Sequence, residues 1–325
     1  MAILATEKVL TLDYWKPAHK LQVGDYVFDR KGNPVKITLV QEYRASECYE
    51  VTFLDQLTIR GDAKLRLPCA DLKYTKRVAS YKGVLKFRRP LKYITTEDLY
   101  VQPKERYLAV PTADPLKFPS QDLPIPPFVF GYWFMRRTSK KRMGVREQQY
   151  KYLAQRFKDN GYVPTKTSHK TKNLTYFAVT PVIEQQLAPL IPTQIPNNYL
   201  MGSVEQRVEL LSGIISANPH WYRKERDNFF FTHRKKSVCQ RVQCLAESLG
   251  SKTSLLFIPK YKNYKVNFKT RFKVLENYEP KPVKVYHSRR KIIGVTQIPA
   301  QLCVHIETDG EDGTFLVGEG FISCL

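Results

Sequence analysis

Along residues 8–66 apolar and polar positions alternate in short runs. Lys8-Val9-Leu10-Thr11, Tyr26-Val27-Phe28, Val35-Lys36-Ile37-Thr38-Leu39-Val40 and Tyr49-Glu50-Val51-Thr52-Phe53 read as strands. The turn residues between them, clearest in Asp29-Arg30-Lys31-Gly32-Asn33-Pro34, predict antiparallel pairing in an all-β unit. The texture then changes. From Glu147 to Asn160 and from Lys236 to Leu249 apolar residues recur at helical spacing, the second as Val238, Val242, Leu245, Ala246 and Leu249 before Gly250. The middle of the chain therefore reads as mixed α and β, without an exact internal repeat.

Prolines mark the edges of that middle segment. Pro111, Pro115, Pro119, Pro124, Pro126 and Pro127 crowd the first, and Pro280 and Pro282 mark the second. Such stretches favour extended linkers over helix or central strand. Charge divides in the same places, with net values of +7 for residues 1–112, +17 for 113–278 and −1 for 279–325. The expected organisation is an N-terminal part over 1–112, a basic insert over 113–278, and a C-terminal part over 279–325 that completes the first domain.

Composition narrows the function classes. The 325 residues suggest about two domains. With 42% apolar residues, 17 Phe and 20 Tyr, packed cores are expected rather than disorder. A net charge of +23 favours a polyanionic partner, nucleic acid before an anionic membrane surface. No apolar run approaches the 18 residues of a membrane span, and the N-terminus lacks a basic segment followed by a long apolar one, so a soluble intracellular protein is expected. Six cysteines without a CxxC pair read as reduced structural thiols, not as a zinc site or disulfide framework.

Both ends of the chain carry a resemblance. Leu10-Thr11-Leu12-Asp13-Tyr14-Trp15-Lys16-Pro17 with Leu21-Gln22-Val23-Gly24-Asp25-Tyr26-Val27-Phe28-Asp29 resembles the opening blocks of the Hint fold shared by inteins and hedgehog autoprocessing domains. Cys303-Val304-His305-Ile306-Glu307 and Thr314-Phe315-Leu316-Val317-Gly318-Glu319-Gly320-Phe321-Ile322 resemble the two closing intein blocks. Inside the insert, Phe130-Gly131-Tyr132-Trp133-Phe134 and Leu210-Leu211-Ser212-Gly213-Ile214-Ile215 resemble the paired helices of a LAGLIDADG homing endonuclease. The resemblance implies a multidomain fold. In it an all-β, horseshoe-like Hint domain is interrupted by an α+β LAGLIDADG-like domain with two pseudo-symmetric halves.

Against that family, the chemistry is missing. Splicing needs a nucleophile at the first residue, a histidine that polarises the first peptide bond, and a terminal His-Asn. The matching positions hold Ala2, Leu65 (or Lys64 in a register shifted by one), and Cys324-Leu325. Cys324 reads as a buried or frayed thiol before a residual nucleophile. A LAGLIDADG nuclease holds divalent metal with one carboxylate at the end of each paired helix, five residues after the motif glycine. Those positions are Arg136, reinforced by Arg137, and Asn218. Neither suits Mg²⁺, which is expected as a cofactor only if nuclease activity is retained; no metal site or cofactor is otherwise expected.

Three basic clusters are candidate DNA contacts. An insertion near 73–93 interleaves Lys73, Lys76, Arg77, Lys82, Lys86, Arg88 and Arg89 with aromatics. A second cluster is Arg223, Lys224 and Arg226 with Arg234, Lys235 and Lys236. A third, Lys260, Lys262, Lys265, Lys269, Arg271 and Lys273, reads as one face of a strand. Arg136 and Arg137 join them as phosphate contacts. The leading expectation is a duplex-DNA-binding protein, catalytically silent, serving a viral or mobile-element genome. Two alternatives stay open: an intein carrying inactivating substitutions, and a structural or interaction protein, with an unspecified protein partner, that reuses the Hint scaffold.

Overall fold

The computed structural model describes residues 2–71, 91–101, 108–139, 142–163, 165–171, 174–178, 185–186, 194–280 and 289–325. The chain forms two compact units, of mixed α/β content with large antiparallel sheets. Unit 1 comprises Met1–Lys117, Gly250–Lys252 and Val283–Leu325; unit 2 comprises Phe118–Leu249 and Thr253–Pro282.

Unit 1 is mostly strand. Its elements are β1 (Ile3–Leu4), β2 (Lys8–Leu10), β3 (Trp15–Pro17), β4 (Tyr26–Phe28), β5 (Pro34–Arg44), β6 (Cys48–Phe53), β7 (Thr58–Asp62), β8 (Arg66–Asp71), β9 (Lys92–Thr95), helix α1 (Thr96–Val101) and β10 (Leu108–Pro111). They are completed by β19 (Arg289–Ile298), β20 (Leu302–Thr308), β21 (Phe315–Val317) and β22 (Ile322–Cys324). The runs read from sequence become β2, β4, β5 and β6. One sheet has the order β4-β5-β20-β1-β7-β6-β19-β10-β8-β9, and a second β22-β21-β2-β3.

The two chain ends interleave in these sheets. Ile3 pairs with Val304 and with Gly61, and Val9 pairs with Val317. Apolar positions of both segments, among them Ile3, Val9, Ile37, Val51, Phe53, Leu67, Val304 and Val317, therefore bury into one core. The six cysteines are free thiols.

Unit 2 repeats one topology. Its first half runs α2 (Pro127–Arg136), β11 (Arg137–Ser139), β12 (Arg142–Arg146), α3 (Tyr150–Asp159), β13 (Thr165–Thr171) and β14 (Leu174–Ala178). A short helix α4 (Asn197–Leu200) leads to the second half: α5 (Val204–Ser216), β15 (Tyr222–Arg223), β16 (Asn228–His233), α6 (Lys236–Ser248), β17 (Thr253–Ile258) and β18 (Asn263–Phe268). The sheets have matching orders, β11-β12-β14-β13 and β15-β16-β18-β17.

Local signals set the helix starts. Pro127 opens α2, where its fixed φ suits the first turn and its missing N–H costs nothing. Ser203 and Gln206 close a reciprocal capping box on α5, with Gln206 N–H donating to Ser203 Oγ at 3.3 Å and Ser203 N–H to Gln206 Oε1 at 3.0 Å.

The two halves share a core through α2 and α5. Phe128, Val129, Phe130, Tyr132, Leu210, Leu211, Ile214 and Ile215 are all buried there. A Cβ at Gly131 would fall 2.5 Å from Leu210 O, and one at Gly213 would fall 2.2 Å from Phe128 O. The helices thus touch backbone to backbone, which only glycine permits at these two crossing points. Arg207 on α5 is buried without exposure, and donates to the carbonyls of Gly202 and Ser248 at 2.9 and 2.7 Å. Its guanidinium thereby caps the C-terminal carbonyls of α6. Among the described residues no helix is long and apolar enough to cross a membrane.

Candidate functional site

The splicing-type positions converge in unit 1. Ala2 is buried, its N–H donating to Asp62 Oδ1 at 2.9 Å while Asp62 N–H donates back to Ala2 O at 3.0 Å. Leu65 N–H donates to Asp62 O at 3.2 Å, and Arg66 and Leu325 exchange both backbone hydrogen bonds at 3.0 and 2.9 Å. Asp62 also accepts from Tyr43 Oη at 2.6 Å, making its buried carboxylate the hub of the cluster. Cys324 is fully buried, its Sγ 3.6 Å from Phe315 O, and desolvation pushes its thiol well above the ordinary cysteine value. A thiol so held stays protonated and is a poor nucleophile. The hub at Asp62 was not singled out from sequence, where it reads as one more polar residue at a strand end.

The nuclease-type positions meet in unit 2, at the C-terminal ends of α2 and α5. Arg136 Nε donates to Ala217 O at 2.5 Å, the carbonyl just past the last turn of α5. Helix C-termini collect unpaired carbonyls and partial negative charge, so a cation there is favourable. Asn218 follows, its N–H bonded to Ile215 O at 3.0 Å and its Oδ1 buried without a hydrogen bond in the described residues. Gln149 Nε2 donates to Ser216 O at 3.3 Å.

Two further side chains reach this place: Arg146, at the end of β12, donates from Nη1 to His220 Nε2. Desolvation lowers the proton affinity of the half-buried Arg136; Tyr132 acts in the opposite sense, and the charge of Arg146 is a smaller cause that lowers it. A guanidinium cannot ligate a divalent cation, and a neutral amide oxygen is a much poorer ligand for one than a carboxylate; Arg136 already supplies positive charge at these helix ends. Among the described residues no three His, Cys, Asp or Glu side chains gather as a metal site. Arg146 and His220 were missed by sequence reasoning, since only the fold brings a strand end and a turn 74 residues apart together.

The basic clusters distribute unevenly. Lys73, Lys76, Arg77, Lys82, Lys86, Arg88 and Arg89 lie outside the described residues, as does the side chain of Arg137. In the second half of unit 2, Phe229, Phe231, Val266 and Phe268 turn towards the core. The alternate positions Phe230, Thr232, Leu256, Lys265 and Asn267 therefore form the opposite face of the sheet.

Arg223 and Lys265 flank the ring of Phe230, their cationic atoms 4.7 and 4.6 Å from its centroid. Burial lowers the affinity of Lys265 for its proton, and the charges of Arg223 and Arg226 add to this. Arg223, Lys224 and Arg226 stand at one end of β16, and Arg234, Lys235 and Lys236 stand at the other.

The third cluster departs from its expected form. Only Lys265 lies within β18; Lys260 sits in the helical turn before it and Lys262 takes a left-handed φ of 49°. Lys269, Arg271 and Lys273 lie beyond the strand, and Lys273 pairs with Glu279 at 2.5 Å. Alternation in sequence did not make a strand face because a tight turn and a strand end interrupt it. The result is a sheet with basic residues at both ends and a mixed polar and apolar face between.

No family model matches the chain, and no curated protein matches it. Among solved structures, it is similar to the Msm DnaB1 intein splicing domain bound with zinc, at 9% identity and a TM-score of 0.34, covering 99% of this chain and 98% of that one. It is similar to the MchDnaB-1 intein at 26% identity and a TM-score of 0.21, over 21% of this chain and 54% of that one, so it spans about half of that intein. A variant of the homing endonuclease I-DmoI in complex with its target DNA matches at 9% identity and a TM-score of 0.33, over 45% of this chain and 87% of that one.

Proposed function

We propose that this chain is a duplex-DNA-binding protein derived from an intein with an inserted LAGLIDADG endonuclease, and that it neither splices nor cleaves. In this reading unit 1 is the splicing-type domain and unit 2 the endonuclease-type domain inserted into it. The observation that carries it is Arg136. Its guanidinium bonds to Ala217 O at the joined helix ends, where a metal-dependent nuclease needs anionic ligands. Arg136 and Asn218 together offer no carboxylate to a metal.

Splicing lacks its parts in the same way. Ala2 and Leu65 have neither a nucleophilic nor a proton-transferring atom, and Cys324-Leu325 stands where His-Asn would cyclise. DNA binding rests on the basic ends of the β15-β16-β18-β17 sheet, with Arg223, Lys224, Arg226, Arg234, Lys235, Lys236, Lys260, Lys262 and Lys265 as phosphate contacts. The face between, bearing Thr232, Asn267 and Leu256, has the donors, acceptors and apolar groups that base edges require. Lys269 and Arg271, just beyond β18, add to these contacts in this reading; the basic residues of the 73–93 insertion and Arg137 are further candidate DNA contacts.

The test is titration against duplex DNA at two salt concentrations, in Mg²⁺ and in EDTA at matched ionic strength. Affinity should fall about 10⁵-fold between ~50 and ~200 mM salt, and Mg²⁺ should not strengthen it. Binding weaker than ~100 μM at low salt would remove the proposal.

A further inference from the structure

Two arginines, Arg136 and Arg146, meet the ends of α2 and α5 and have no carboxylate partner among the described residues. Arg136 reaches Ala217 O through Nε, and Arg146 is oriented by His220. Neither makes an ion pair with a carboxylate of the described residues. The burial of Arg136 and the nearby charge of Arg146 both work against its charged form. Two like charges brought together in a partly desolvated place are costly unless an anion joins them. The Arg136 bond to Ala217 O uses only Nε, and among the described residues neither Nη group is bonded, so the two can act as a fork.

We infer that Arg136 and Arg146 form a site for one tetrahedral phosphate group, supplied by a nucleic-acid backbone. The inference rests on the proposed DNA-binding role and gives that role a fixed anchor at the centre of unit 2. Planar guanidinium forks match the oxygens of a phosphodiester, and two forks on one phosphate fix its position as lysines at the sheet ends do not. His220 acts as a positioning residue, holding Arg146 through Nε2. The site requires no metal and breaks no bond.

The experiment compares the full chain with Arg146→Gln, Arg146→Lys and a control, Lys158→Gln, on the exposed side of α3. In DNA titrations across salt, Arg146→Gln should lose about tenfold in affinity and lower the salt slope by about 0.9. Arg146→Lys should keep the slope and lose part of the affinity, and Lys158→Gln should change neither. In a second arm, thermal melting in inorganic phosphate is compared with chloride at equal ionic strength. The parent should gain about 3 °C in phosphate, and Arg146→Gln should lose that gain.

If the parent binds DNA and Arg146→Gln matches it in affinity and slope, the site is overturned and the DNA-binding role stands. If the parent does not bind DNA but phosphate protection depends on Arg146, the DNA-binding role falls and the phosphate site stands with free phosphate as its source. Absence of both effects overturns the site outright.

Discussion

Gly213→Ala should destabilise unit 2 by about 3 kcal/mol or more, the top of the range for an overpacked core position. In an isolated helix the same change would be favourable, since alanine exceeds glycine in helix propensity by about 1 kcal/mol. Sterics decide the sign here. The added Cβ would lie 2.2 Å from Phe128 O and 3.0 Å from Tyr132 N, both backbone atoms of α2, so no rotamer change relieves the clash. The helices must move apart, loosening Phe128, Tyr132, Leu210 and Ile214 at their crossing. Gly161→Ala is the contrasting case. Its Cβ meets nothing within 4 Å, and the cost comes only from φ of +82°, about 1 kcal/mol. Urea denaturation of both variants checks the pair. A Gly213→Ala protein as stable as the parent would mean that α2 and α5 do not pack in this way.

The second large effect is a gain. Arg136→Asp combined with Asn218→Asp places two carboxylates at the joined helix ends and removes the resident guanidinium. Without metal, two nearby carboxylates repel and disfavour full ionisation, so the variant should be less stable than the parent at neutral pH. Mn²⁺ or Mg²⁺ neutralises both, and should restore stability by preferential binding to the folded state. The expected result is a melting temperature that rises with Mn²⁺ by several degrees in the double variant and does not move in the parent. Calorimetric titration should find Mn²⁺ binding at least about tenfold tighter in the variant, a difference of about 1.4 kcal/mol. Equal binding by the two proteins would show that Arg136 does not exclude the ion.

Much of this architecture was legible because it is local. Period-two runs gave β2, β4, β5 and β6, and apolar spacing gave α3 and α6 within a few residues of their ends. Gly131 and Gly213 were read as paired-helix positions through the resemblance, and the structure supplies their physical reason, since a Cβ at either would strike backbone of the facing helix. What remained hidden depends on long-range juxtaposition. Arg146, His220 and Ala217 O acquire meaning only when β12, the turn after α5 and the end of α2 meet. Asp62 likewise becomes a hub only when β1 is laid beside β7. The Lys260–Lys273 run misled for the opposite reason. Its alternation resembled a strand, but Lys262 takes the left-handed turn position between β17 and β18.

Whether the protein cleaves DNA is decided at the ends of α2 and α5. The most direct test enriches bound duplexes from a random-sequence pool and incubates them with the protein in Mg²⁺ and in Mn²⁺. The strands should remain bound and intact in both metals, as in EDTA. Metal-dependent nicks in the enriched duplexes, lost in EDTA, would contradict this.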